Sequence, residues 1–471
     1  MARGMRADKM SSLTTRRLVA ITASFFPSLC AAAAWPNGPL VTSGRWITDA
    51  TGAKVTYAGA NWPGSLETMI PEGLQYQSIA DIVSQMKSIG INAIRLTYAI
   101  EMIDQYYANG EVDIPIQTAF TDALGQENGT AIYNKVVANN PSFRSNTTRL
   151  EVYDAIAEEC AKQEIYVHLD NHVSKAIWCC SPLDGNSWWN DTYFDVGNWT
   201  RGLSFMANRG KSWTSLTSMA LRNELRPPLT STEVAETYNW ETWYKYMQQG
   251  ASAIHNANPD TLIFLSGLDS DTNLTAVVQG TALTPGTQTF SFSDFAANKI
   301  VLELHEYDNI DGDPSESCNT TTSALSDGGA DTVSSSTAKN VFPLVITEFG
   351  QPQTSSAASD PFITCVLDYF EAQHAGWMIW AITGSYYIRQ GTQDYDEEWG
   401  LLSHDWSSWR QPDFINKVFV PAVNTTLAPI TDDGPGNGTS SDGDGDSSAS
   451  RLSNLGLGWA MGMLVVVGLI V

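Results

Sequence analysis

Basic residues are scarce in this chain. Lys and Arg number 26 against 51 Asp and Glu, for a formal charge of −25. A surface of that sign repels nucleic acid and anionic polymers, so no nucleic-acid partner is expected and a neutral polymer fits better. Cysteine is scarce too, with six in 471 residues. Cys179 and Cys180 are adjacent rather than two residues apart, and the spacing gives no zinc pattern. No Gly-rich phosphate loop follows the first strand-like run, which leaves a nucleotide-binding fold with little support. No Gly-X-Ser-X-Gly elbow appears, so a serine hydrolase is poorly supported. No repeat of about 20–50 residues is visible. The Asp-Gly run at 442–446 lacks the glutamate that an EF-hand loop requires, and reads as solvated linker. No metal and no cofactor are expected.

The two ends point outside the cell. Arg16-Arg17 precede an apolar run and then Ala31-Ala32-Ala33-Ala34, the pattern of a secretory signal peptide over 1–34. Losing its five basic residues and one acid would take the charge from −25 to about −29. Residues 427–450 read as a Gly/Ser/Asp-rich linker, and 451–471 as the hydrophobic tail of a GPI-attachment signal. A plain membrane helix is the alternative for that tail. Eight Asn-X-Ser/Thr sequons suggest a glycosylated, secreted, cell-surface monomer that meets membrane only through the lipid. Five cysteines remain after the leader: Cys160, Cys179, Cys180, Cys318 and Cys365. Two disulfides and one free thiol are expected, and the pairing stays open.

Residues 35–426 read as one α/β domain, a (β/α)8 TIM barrel with long strand-to-helix loops. Strand patterns fall at 55–61, 93–98, 165–170, 217–222, 262–267, 300–305, 344–347 and 377–381. Amphipathic stretches at 79–89, 150–163, 240–256 and 361–374 lie between them. Continuous apolar strands alternating with helices imply a parallel sheet covered on both faces.

Polar and aromatic residues follow the strands, at the end where barrel enzymes keep their sites. They include Asn61-Trp62, Arg95 and Tyr98, His168 to His172, Asn223-Glu224, His305 to Tyr307, Glu348 and Trp380. Period-two spacing puts His305 with Tyr307, and Arg222 with Glu224, on shared faces. Arg95 needs a carboxylate partner if buried, and Glu348 is the natural one, which would hold Glu348 ionised. Asp170 reads as a structural acid, His168 as a satisfied core histidine, and Glu303 as a rival carboxylate deeper in its strand. Trp62, Trp178, Trp188, Trp189, Trp380 and Trp399 fall in expected mouth loops, where aromatic faces suit sugar rings. Glu224 and Glu348, about 124 residues apart, give the two carboxylates on separate strands that glycoside cleavage needs.

Six strings together resemble glycoside hydrolase family 5, the cellulase-type barrels. They are Asn92-Ala93-Ile94-Arg95-Leu96, Leu169-Asp170-Asn171-His172, Arg222-Asn223-Glu224, His305-Glu306-Tyr307, Thr347-Glu348-Phe349-Gly350 and Trp380. The segment around Trp178-Cys179-Cys180 is similar to a fungal and plant branch. The resemblance implies Glu348 as nucleophile and Glu224 as acid/base. It implies that Asn223 bonds the sugar 2-hydroxyl and that Tyr307 and Arg95 support Glu348. It places His172, His305 and Trp380 around the sugar beside the cleaved bond, and Trp62 is expected with them. The expected activity is retaining β-glycosidase action on a polysaccharide or glycoside, a β-glucan first. A raised Glu224 pKa is expected in the free enzyme. Exo-action, transglycosylation and an inactive glucan-binding protein are the alternatives.

Overall fold

The computed structural model describes residues 35–430, apart from Ala297 and residues 309–317. The expected leader, most of the linker and the tail therefore lie outside the described residues. One compact unit ends at Ala428. No helix among the described residues is long and apolar enough to cross a membrane.

Eight parallel strands close into a barrel: β1 (Ala58–Trp62), β2 (Ala93–Ala99), β3 (Tyr166–Val173), β4 (Leu216–Ala220), β5 (Leu262–Leu265), β6 (Ile300–Glu306), β7 (Leu344–Phe349) and β8 (Gly376–Ile379). All eight sequence patterns are found, with shifted ends. Val55 belongs to a separate three-stranded sheet over 41–55, and β1 starts at Ala58. Ile47 of that small sheet, with Leu40 just before it, joins the apolar cluster that fills the barrel beneath the site.

Alternation along the strands sorts side chains into two layers. On β6, Val301 belongs to the barrel interior, while Leu302 and Leu304 belong to the shell between barrel and helices. On β2, Ala93 faces in and Ile94, Leu96 and Tyr98 face out. Arg95 therefore points up the barrel axis toward the mouth, because it shares the parity of Ala93.

The four expected helices are present at Ile79–Ser88, Arg149–Lys162, Trp240–Ala257 and Pro361–Gln373. Their starts follow from capping. Thr148 and Glu151 form a reciprocal capping box, and Asp360 caps a helix that opens on Pro361. Three further helices, Ile100–Ala108, Ile116–Leu124 and Gln126–Asn139, fill the long connection after β2. A hairpin of Ser385–Arg389 and Thr392–Asp396 follows β8. Asn128 donates to Gln393 at 2.7 Å, which joins these two mouth insertions.

Candidate active site

Arg95 is the hub. Buried on β2, it donates Nη1 to Glu348 Oε1 at 2.5 Å and to Asn61 Oδ1 at 2.9 Å. Its Nη2 reaches Asn223 Oδ1 at 2.7 Å and Asp170 Oδ1 at 3.1 Å. One guanidinium thus ties β1, β2, β3, β7 and the turn after β4 together, a task its forked donors suit. Asp170 also meets His172 Nδ1 at 2.7 Å, and the His172 ring stacks on Trp380 with centroids 5.6 Å apart. Burial alone would push Asp170 up, but Arg95 and His172 hold it down at about 2.

Glu348 reaches the site through an irregularity. The β6–β7 register slips between Ile346 and Glu348, so Glu348 stands opposite His305. Tyr307 donates its hydroxyl to Glu348 Oε2 at 2.9 Å. Two donors, Arg95 and Tyr307, thus face this carboxylate.

Glu224 sits differently. Its backbone is left-handed at φ 45°, beyond the end of β4. Its N–H donates to Asp271 Oδ2 at 2.9 Å, and its carbonyl accepts from Arg226 Nη1 at 2.7 Å. Its side chain meets His305 Nδ1 at 3.1 Å. The other ring nitrogen, Nε2, lies 3.1 Å from Thr347 Oγ1. Oxygens of Glu224 and Glu348 lie within 4.8 Å of each other and of His305.

His305 is ringed by acids. Burial disfavours its cation, but Glu348, Glu224 and Asp271 outweigh burial and raise it to about 9. The expected raised pKa of Glu224 is not met. Burial pushes that carboxyl up, yet the bond and charge of His305, then Arg226 and His172, bring it below the usual range. His305, raised, stands 3.1 Å from Glu224, lowered, so between these two the proton favours the imidazole. Glu224, His305 and Glu348 offer three potential cation ligands within 4.8 Å of one another. Glu303, deeper in β6, is raised to about 7 by burial against the pull of Arg95, and accepts from Thr347 at 2.9 Å.

Removal of the Glu348 charge removes the largest favourable influence on the His305 cation. In Glu348→Gln the His305 titration, followed by NMR, should move down from about 9. An unmoved midpoint would show that Glu348 does not set it. In the wild type this histidine adds stability in full below its unfolded pKa of about 6.5, and loses it as pH rises through about 9.

The pocket encloses about 300 Å³ around the two glutamates. Trp178, Trp380 and Trp399 line it, with the disulfide-bonded Cys179 and Cys180 and the pair Arg389–Glu397. The second disulfide joins Cys318 to Cys365, and Cys160 is a buried free thiol.

Several sequence expectations about placement need correction. Trp62 is no part of the mouth. It shares the parity of Ala58 and Ala60, packs in the outer shell and donates its indole to Glu72 O at 3.0 Å. Asn61, one residue earlier, points inward instead. Tyr98 is turned outward for the same reason, and Trp188 and Trp189 are buried in the loop core. Arg222 and Glu224 do not share a face, because β4 ends at Ala220 and the chain turns. Arg222 leaves the site to bond Ser174 and the Asn186 carbonyl, over the Phe194 ring. His168 is a core histidine, as expected, 2.9 Å from Ser218 Oγ.

Sequence reasoning missed Arg389, Glu397 and the sulfur pair as pocket features, and Asp271 as the buried acid that holds the Glu224 backbone. Asp271 had a signal. β5 carried no expected mouth residue, yet the turn-rich run Asp269-Ser270-Asp271-Thr272-Asn273 follows it, with three successive left-handed residues.

The family pattern described as Cellulase (glycosyl hydrolase family 5) matches residues 48–385. A glycosyl hydrolase 5 family protein of Chamaecyparis obtusa is 34% identical over 404 residues, 83% of this chain and 68% of that protein. An endoglucanase of Paenibacillus polymyxa is 23% identical over 413 residues, 85% of this chain and 91% of that one. A solved cellotetraose complex of the endocellulase from Pyrococcus horikoshii superposes with a TM-score of 0.58 at 17% identity, over 83% of this chain and 99% of that one. A barrel with two close carboxylates at its mouth and a family match over most of its length leave one conclusion: this chain is a glycoside hydrolase and belongs to glycosyl hydrolase family 5.

Proposed function

We propose that this protein is a retaining β-glycosidase that cleaves a neutral β-glucan by double displacement. The observation that carries the reading is the pair Glu224 and Glu348, with oxygens within 4.8 Å in unlike surroundings. Retaining pairs stand about 5–5.5 Å apart, whereas inverting pairs need about 6.5–9.5 Å to admit a water. The endoglucanase relative and the cellotetraose-binding structural neighbour support a glucan.

In this reading Glu348 attacks the sugar carbon. Arg95 and Tyr307 aim it, at 2.5 and 2.9 Å. Glu224 protonates the leaving oxygen, drawing on the proton it shares with His305. Once Glu348 is esterified its charge is gone. Glu224, now ionised, takes a proton from water, and that water attacks the same carbon and restores Glu348. The product keeps the β configuration because the carbon is displaced twice.

Asn223 is held by Arg95 and faces the pocket beside Glu224, as a partner for the sugar 2-hydroxyl. The three pocket tryptophans give aromatic faces for the apolar C–H faces of sugar rings. Extracellular action fits the two disulfides and the surface sequons. Asn128, Asn146, Asn190, Asn319 and Asn424 are exposed, and Asn198 and Asn273 are half-buried.

The test is a panel of β-glucans, β-mannan and aryl β-glycosides, with product anomers read by NMR in the first turnovers. Retained β product on a β-glucan is expected, and an α product sinks the mechanism. Glu224→Gln should lose about 10²–10⁴-fold on polysaccharide, where the leaving oxygen needs a proton. On an aryl glycoside with an acidic phenol the loss in the first step should be far smaller. Equal losses on both would remove Glu224 from the acid role.

A further inference from the structure

Cys179 and Cys180 are bonded to each other, and both sulfurs line the pocket that holds the two glutamates. The amide Nδ2 of Asn223 lies 3.6 Å from each sulfur. The opposite end of that amide, Oδ1, accepts from Arg95 at 2.7 Å. An oxygen of Glu224 lies within 4.8 Å of both sulfurs. The disulfide therefore forms the pocket wall beside Asn223 and Glu224.

The segment that carries it is tied to Glu224. Arg226 donates to the Glu224 carbonyl at 2.7 Å, to the Ser181 carbonyl at 3.2 Å and to Asp184 at 2.5 Å. Ser181 directly follows Cys180, so one guanidinium links the sulfur wall to the backbone of the acid. Trp178, directly before Cys179, packs its ring edge against Trp380 and lies under Arg389 at 3.5 Å.

We propose that the Cys179–Cys180 disulfide is a positioning and specificity element of the sugar site, and that its reduction by a dithiol switches the enzyme down. This rests on the glycosidase reading above. Closed, the disulfide offers weak acceptors to the Asn223 amide and no proton donor to Glu224. The amide stays aimed at the pocket, and a sugar hydroxyl easily outcompetes sulfur for its hydrogens.

A dithiol would open the bond in two exchanges. One of its thiolates attacks the first sulfur and forms a mixed disulfide, while the second sulfur leaves as thiolate and takes a proton. The other thiol of the reductant then attacks its own bound sulfur and releases the first as thiol. The reductant ends as a disulfide and the protein gains two thiols, a two-electron change. The freed sulfurs can no longer share one bond length and must separate into the pocket. Their S–H groups become donors beside the Glu224 carboxylate, and donors to a carboxylate favour its ionised form. Protonation of the leaving oxygen then becomes harder.

The experiment compares oxidised and dithiol-treated full-length protein, with new thiols located by alkylation and mass spectrometry. The readouts are kcat and KM on the best substrate of the panel, the pH profile, and calorimetric binding of cellotetraose. Reduction at 179 and 180 should lower kcat/KM by about tenfold to 100-fold, the scale of an ångström-level misplacement. Its alkaline limb should move to lower pH, cellotetraose should bind more weakly, and reoxidation should restore all three.

Cys179→Ser/Cys180→Ser should start low and ignore the dithiol. Cys318→Ser/Cys365→Ser keeps the vicinal bond and should still respond, even with a lower melting temperature. Full kcat/KM and unshifted binding with both thiols demonstrably free would overturn the proposal. If the oxidised protein cleaves nothing yet binds cellotetraose, the glycosidase reading fails and the binding comparison alone decides this one. A protein that neither cleaves nor binds any glycan overturns both.

Discussion

Glu348→Ala should lose about 10⁴-fold or more in kcat, the scale seen when a nucleophile is removed. The loss should appear on every substrate, including aryl glycosides with good leaving groups, because bond formation to the sugar carbon is itself removed. Azide should rescue the variant on an activated aryl β-glycoside. It would enter the space left by the carboxylate, attack from that face and give the α-glycosyl azide. Glu224→Ala with azide should give the β-azide instead, since Glu348 still forms the intermediate and azide replaces the water. Product configuration is read by NMR. The opposite pair of anomers would exchange the two roles, and no rescue together with full wild-type activity in either variant would remove both from the chemistry. The basis for the split is structural. Glu348 faces Arg95 and Tyr307 as donors, while Glu224 faces His305 across 3.1 Å.

Arg95→Met should unfold more easily by about 3–5 kcal/mol, the usual cost of leaving a buried charge without its partner. Arg95 is wholly buried and meets Asp170, Glu348, Asn61 and Asn223 at once. Glu303 is close enough to feel its charge as well. Methionine fills much of the space but leaves these acids facing one another. Arg95→Lys should recover little, because a single ammonium cannot reach four acceptors in the plane of the guanidinium.

The sign of the pH effect follows from Asp170. Held at about 2 in the wild type, it stabilises the fold above its unfolded pKa of about 3.9, and that contribution fades as pH falls toward 2. Without Arg95, burial dominates and the acid is better tolerated protonated. The stability gap between wild type and variant, read by urea unfolding, should therefore narrow as pH falls through about 5 to 3. A gap that is absent at neutral pH, or that widens in acid, would show that Arg95 is not what neutralises the cluster.

Much of this protein was legible in its residues. Continuous apolar runs with helical stretches between them defined eight barrel strands, because burial on both faces of a parallel strand leaves an unbroken apolar signal. Six strings near the strand ends marked the mouth. Parity alone would have paired Arg95 with the inward row of Ala93, and that local rule holds because a strand's side chains alternate strictly.

The same rule misplaces residues wherever a strand begins or stops elsewhere than its apolar run suggests. Trp62 belongs to the outward row of β1, one position from the inward Asn61, and a mouth position cannot be told from a shell position without the parity. Arg222 and Glu224 separate because β4 ends at Ala220 and Glu224 adopts a left-handed backbone, fixed by the nearby Arg226 and by Asp271, 47 residues on.

The sequence by itself determined the strand order, the barrel and which two glutamates follow the fourth and seventh apolar runs. Only the tertiary structure decided that Cys179 pairs with its neighbour, that Asp271 holds the Glu224 backbone, and that three acids surround His305 and raise it. Alternation and composition are properties of neighbours along the chain. The backbone path beyond a strand and the charge balance around a buried group depend on residues tens to hundreds of positions away, which only folding brings within a few ångströms.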